Sequence, residues 1–288
     1  MTKPQRSAHP VPIVRPSPFV LRPGLAVLLA LLLAGCRAGA PPSPPAVDAD
    51  YLACRTAIER VYYSQREDAP PFEQVFTPEV MQKRVAEELL KERLLAEVFN
   101  QRISDDELSM EWDRIRQTTQ APQVLAQLEA TLENDPARIK ACLVKPILVD
   151  RFLRDAYANN TALHQAEYDE ANRLRQRVLA GASMRTVGGD RYSELIYDAN
   201  AKPVAEPPEP GTPQVIPLSA MEPEIKQVIE EQLKQPGDVS QVIVGRDDFK
   251  LLRLVERQPD RIALELILIP KRPFDDWFNQ ERQKRGQG

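Results

Sequence analysis

Apolar residues fall along this chain in distinct regimes. From Leu25 to Ala34 they form an unbroken run. Ten residues span about 15 Å as a helix, roughly half a bilayer core, so the run predicts the apolar region of a signal sequence rather than a membrane span. From Ala40 to Pro45 the order Ala-Pro-Pro-Ser-Pro-Pro has no apolar periodicity and favours extended polyproline conformations. From about Asp48 to Leu179 the spacing is helical, with stripes at Met81, Val85 and Leu89, at Leu125, Leu128 and Leu132, and at Ile139, Leu143 and Phe152. From about Arg191 the period shortens, and Ser193 to Tyr197, Ser240 to Val244, Phe249 to Val255 and Ile262 to Ile269 predict strands.

Local signals sharpen this outline. Thr77 with Pro78, the sequence Ser104-Asp105-Asp106-Glu107, and Asn134-Asp135-Pro136 mark helix starts. Pro146 falls inside the longest helical stretch and predicts a kink or a division there. Between Lys202 and Pro213 five prolines predict an irregular loop, and Ile225, Ile229 and Leu233 predict an amphipathic helix before the turn at Pro236-Gly237. Leu264 to Ile269, interrupted only by Glu265, predicts a central strand buried on both faces. A last helix from Pro273 to Arg282 carries Phe274, Trp277 and Phe278, an aromatic patch expected to dock onto the helical region. The fold class is α+β. The expected divisions are a leader at 1–35, a Pro-rich tether at 36–47, a helical domain at 48–160, an α/β domain at 161–272 and a C-terminal helix at 273–288.

Charge and rare residues narrow the chemistry. Lys3, Arg6, Arg15 and Arg22 precede the apolar run, and Leu33-Ala34-Gly35-Cys36 closes it, which resembles the bacterial lipoprotein signal. Cys36 is then the lipidated first residue of the mature protein. Arg37 follows it where an Asp favours inner-membrane retention, so the expected location is the outer membrane, facing the periplasm. Without the leader, 34 basic residues stand against 42 acidic ones, a net charge of −8 that repels nucleic acid. His9 leaves with the leader, and His164 is the mature chain's lone histidine, expected at the surface. One histidine excludes a multi-histidine metal site within the chain, and no cofactor, metal or nucleotide is expected. Cys54 and Cys142 form an even pair for an oxidising compartment, 88 residues apart, read either as a structural disulfide or as two buried thiols.

The order of lipoprotein signal, tether, helical region, α/β domain and closing helix resembles the SurA-like and parvulin-type folding factors of the bacterial envelope. Leu233-Lys234-Gln235-Pro236-Gly237-Asp238-Val239-Ser240 looks like the parvulin helix-turn-strand signature, and Asp248-Phe249-Lys250-Leu251-Leu252-Arg253-Leu254 like the strand that follows it. Ala171 to Gly181 resembles the family's first helix, and Gly188-Gly189-Asp190 its glycine pair. The family's two histidine positions are replaced, by Lys250 and, on a displaced C-terminal match to the first strand at Ala263 to Leu268, by Glu265. The resemblance implies a proline pocket to which Met221, Ile225 and Phe249 are assigned, with core packing as the alternative for all three. No residue is assigned a catalytic role.

Three functions follow as expectations. The first is an ATP-independent chaperone that binds unfolded periplasmic or outer-membrane proteins, its parvulin-like domain serving recognition. The second is an active peptidyl-prolyl cis-trans isomerase, since twisting an amide needs no acid or base and an apolar pocket favouring the twisted form lowers the barrier of about 20 kcal/mol. The third is a structural lipoprotein that docks one partner.

Overall fold

The computed structural model describes residues 48–202 and 212–286. The leader, the lipid-attachment candidate Cys36 and the tether at 36–47 lie outside the described residues, as does most of the proline-rich loop. The described residues form an α+β fold in which a helical lobe and a sheet lobe are tied by the final helix.

The helical lobe runs through α1 (Ala49–Tyr63), the single turn α2 (Phe72–Val75), α3 (Pro78–Phe99), α4 (Asp105–Thr118), α5 (Pro122–Thr131), α6 (Pro136–Arg138) and α7 (Lys145–Asn159). Its starts are set by the expected caps. Thr77 accepts from the Val80 N–H, Asp135 accepts from the Ala137 N–H at 2.9 Å, and Ser104 and Glu107 form a reciprocal capping box. Between α6 and α7 the residues Ile139–Val144 wind as a π-helix. Pro146 explains why this stretch departs from the α-helix. Lacking an N–H, it has nothing to give the carbonyl of Cys142 four residues earlier. The buried Arg55 of α1 supplies the missing donor, its Nη1 lying 3.0 Å from that carbonyl while Nε and Nη2 fork onto Glu88 of α3 at 2.9 and 2.7 Å. Beside it Cys54 and Cys142 are joined in a disulfide, with Cα atoms 6.3 Å apart. α1, α3 and the π-turn thus meet at one point, over a core of Ile58, Leu128, Leu132, Leu143 and Val144.

α4 is fastened to α7 by a carboxylate. Glu111 is 4% exposed and accepts from Arg114 and, across the lobe, from Arg151 at 2.8 Å. The hydrogen bond from Arg114, reinforced by Arg151 against the opposing effect of burial, holds its carboxyl down to about 2.

After the 3₁₀ turn Thr161–His164, helix α8 (Gln165–Leu179) and α9 (Met184–Gly188) lead into a five-stranded sheet of β1 (Tyr192–Asp198), β2 (Gln214–Pro217), β3 (Ile243–Val244), β4 (Asp248–Arg257) and β5 (Arg261–Pro270). The strand order is β2-β1-β5-β4-β3, with β1 and β2 parallel and the other pairs antiparallel. β5 is central and buried on both faces, as its apolar run predicts: Leu264 and Leu266 face α10 (Pro223–Glu231), while Ile267 and Ile269 face α8 and α9. At Gly188, a Cβ would stand 2.9 Å from Ile267, so the close approach of α9 to β5 requires glycine. β2 has no counterpart among the strands that the sequence pattern predicts, and β3 is shorter than the strand expected at Ser240 to Val244. α11 (Phe274–Lys284) returns to the helical lobe, where Trp277 and Phe278 are buried with Leu90, Leu94 and Leu153.

Cutting the disulfide relaxes the unfolded chain across 88 residues. Cys54→Ser/Cys142→Ser is expected to lose about 3–5 kcal/mol in urea unfolding. An undiminished midpoint would show that the helical lobe gains nothing from the bond.

Candidate functional site

The residues assigned to a common proline pocket do not share one. Phe249 sits on the sheet face covered by α8, 3% exposed, packed with Ala171, Leu174 and Val178. Ile225 is equally buried on the opposite face, where α10 packs and Met221 lines the edge of the same cluster. The groove expected from Met221, Ile225 and Phe249 is therefore corrected: the sheet separates Phe249 from Met221 and Ile225, and Ile225 and Phe249 are core. Lys250 and Glu265 are split in the same way. In the β4–β5 register Lys250 pairs with Leu268 and Arg253 with Glu265, so Lys250 shares the α10 face and Glu265 the α8/α9 face.

Each of these charged side chains has its own partners. Lys250 Nζ lies 3.7 Å from Glu222, at the start of α10. Glu265 accepts from Arg253 at 3.2 Å, and the Tyr192 hydroxyl lies 3.1 Å from it and 2.7 Å from Glu194. Burial, followed by the two carboxylates, pushes the Tyr192 phenol well above its ordinary value, so it remains a donor between them. Glu194 lies directly opposite Glu265 across β1 and β5, and the like charges are compensated by Arg185 on one and Arg253 on the other.

A second group of polar residues gathers where the two lobes meet. Lys271 is 7% exposed, and its ammonium lies 2.8, 2.7 and 3.2 Å from the carbonyls of Ala158, Gly245 and Arg246. It also stands 5.1 Å above the Phe249 ring. Burial lowers its pKa from the ordinary lysine value, opposed by Asp248 and Asp247. The Tyr157 hydroxyl donates to the Arg272 carbonyl at 2.6 Å, fixing the same linker from the α7 side.

His164 is part of this junction rather than a surface residue, which corrects the sequence expectation. The 3₁₀ turn between α7 and α8 folds its ring edge-on against Tyr157, with centroids 4.7 Å apart, and leaves it 1% exposed. Its Nε2 lies 3.0 Å from the Tyr157 carbonyl, which can only accept, so that nitrogen carries a hydrogen, and Nδ1 is buried with no partner among the described residues. Burial, aided by Lys271 and Arg272, lowers its pKa against the opposing Tyr157 hydrogen bond and Glu167. No nucleophile pairs with it in the hydrogen bonds of the described residues, and no cluster of three potential metal ligands occurs among them. The signal that sequence reading passed over is Pro270-Lys271-Arg272-Pro273, a basic pair held between a buried strand and an aromatic helix.

No protein-family model, curated protein or solved structure matches the chain.

Lys271→Met strands three carbonyls and is expected to cost about 2–4 kcal/mol in urea unfolding, whereas a loss below 1 kcal/mol would deny Lys271 its structural role. For His164 the folded pKa lies below the unfolded one, so acid protonates the unfolded chain first. Its contribution to stability is therefore full above about pH 6.5 and declines as pH falls through the folded value. His164→Gln should flatten the stability profile below pH 6.5; the same acid slope in both proteins would exclude this histidine as its source.

Proposed function

We propose that this chain is a periplasm-facing envelope lipoprotein folding factor, an ATP-independent chaperone that binds unfolded envelope or outer-membrane proteins. The chain path carries this reading: the helical lobe is interrupted by the sheet lobe and completed by α11, whose Trp277 and Phe278 enter the helical core. This is the order of parts that the SurA-like resemblance implies. The Leu233-to-Ser240 signature also supports it. Gly237 adopts φ +100°, Asp238 accepts from the N–H groups of Lys234 and Gln235, and the chain then runs beside β4, with Ser240 N–H donating to Leu252 O at 2.9 Å. β5, the C-terminal segment that resembles the family's first strand, lies at the centre of the sheet between β1 and β4.

The α/β lobe serves recognition in this reading. Lys250 and Glu265, at the positions aligned with the family's two histidines, stand on opposite faces, and Phe249 is core, so these residues do not meet in one site.

The protein at equimolar to several-fold excess should suppress light scattering by a denatured outer-membrane protein diluted into buffer, without nucleotide. No protection at that excess would sink the chaperone assignment. NMR exchange of an Xaa-Pro peptide should show no acceleration; a clear acceleration would move the assignment to the isomerase. Phe249→Ala is unsuited to that test, since deleting this core ring is expected to cost about 3–5 kcal/mol in stability.

A further inference from the structure

A cleft of about 410 Å³ opens between the end of α7 and the linker from β5 to α11. Tyr157, Pro273 and Phe274 give it an apolar wall, and Arg154, Arg246, Lys271 and Arg272 border it against the single carboxylate of Asp247. These cations are not equivalent. Arg246 is paired with Asp155 at 2.6 Å, Arg154 with Asp150 at 3.0 Å and Asp275 at 3.5 Å, and Lys271 is occupied by three carbonyls. Arg272 has no ion pair among the described residues: its Nη1 donates to Gln280 at 3.1 Å, its side chain also interacts with the Tyr157 hydroxyl, and its Nε is buried with no hydrogen-bond partner of its own.

The same linker begins α11. Pro273 at the N-cap offers no side-chain acceptor, so the first-turn N–H groups and the positive end of the helix adjoin Arg272. The first-turn acids Asp275 and Asp276 are exposed, and Asp275 is turned toward Arg154. A guanidinium without an ion pair and a helix start without a side-chain cap therefore lie beside a wall made of two aromatic rings. Charge calls for an anion, and the wall calls for an apolar group attached close to it. The volume suits one large side chain with its carboxylate.

We propose that this cleft binds the C-terminal residue of an unfolded polypeptide, its carboxylate on Arg272 and the start of α11, its apolar side chain against Tyr157 and Phe274. The ligand's origin rests on the chaperone reading; the preference for an apolar carboxylate rests on the cleft alone. Arginine suits this role because its planar fork can bind both carboxylate oxygens.

Trp277, stacked on Tyr157 with centroids 5.0 Å apart, supplies a fluorescence readout. The purified protein, with Trp112→Phe to isolate that signal, is titrated with a short peptide ending in phenylalanine, as the free acid and as the amide. The free acid should bind at least about ten-fold more tightly. Arg272→Gln should reduce that preference to below about two-fold with an unchanged melting temperature, and Arg272→Lys should retain part of it. Equal affinity for acid and amide, or an undiminished preference in Arg272→Gln, would overturn the proposal. N-acetylphenylalanine binding as tightly as the peptide would overturn the polypeptide source by assigning the cleft to small aryl carboxylates. Light scattering separates the two readings: protection of clients without acid preference leaves the chaperone standing and removes the cleft, and acid preference without protection does the reverse.

Discussion

The buried ammonium of Lys271 is the constraint on which the joining of the two lobes depends. Taking an unpaired cation out of water costs several kcal/mol, and no carboxylate among the described residues is within ion-pairing distance to offset it. An ammonium has three hydrogens, and three carbonyls lie within bonding distance: Ala158 at the end of α7, Gly245 and Arg246 in the turn before β4. The geometry is satisfied only when the helical lobe, that turn and the chain leaving β5 occupy one arrangement. The Tyr157–Arg272 bond and the placement of His164 follow from it, because both belong to the same few residues of linker and helix end.

The helical lobe has a corresponding point of convergence at Cys142. A proline within a helix normally leaves a carbonyl unpaired and bends the axis. Here the π-turn shifts the register, Arg55 fills the place of the missing N–H, and the disulfide fixes the same residue to α1. Arg55 is itself buried, and its remaining donors are met by Glu88, so the charge that repairs the helix is neutralised within the same contact. The proline is accommodated by side chains more than 50 positions away, from α1 and α3.

This distance dependence explains what could be read in advance. Caps, the alternation of helix faces and the doubly apolar β5 are local patterns, and Ser104, Asp135 and Leu264 to Ile269 behave as their neighbours dictate. The face to which a strand residue points depends on register. In the antiparallel β4–β5 pair, even-numbered residues share one face up to the irregularity at Leu254/Glu256, which places Lys250 and Glu265 apart although each sits in a strand correctly anticipated. His164 was unreadable for a similar reason: its turn is only four residues long, and the linker beyond β5 that closes over it with Tyr157 comes more than 100 residues later. β2 escaped because it is four residues long, bounded by Pro213 and ending at Pro217.

Two kinds of interaction hold α11, and their magnitudes differ. Arg282 reaches Glu87, Arg285 reaches Glu97 at 3.6 Å, and Asp275 meets Arg154 at 3.5 Å, all of them partly solvated. Pairs of this kind contribute about 0–1 kcal/mol each and weaken as salt rises. Trp277 and Phe278 bury their rings among Leu90, Leu94, Leu153 and Tyr157, a gain of about 2–3 kcal/mol per large apolar side chain, with ring stacking in addition. The aromatic face therefore decides whether α11 docks, and the charges along its flank decide in which rotation. That division places Arg272, without an ion pair among the described residues, at the start of a helix whose position is already set by its core, so its guanidinium is not needed to hold the helix in place.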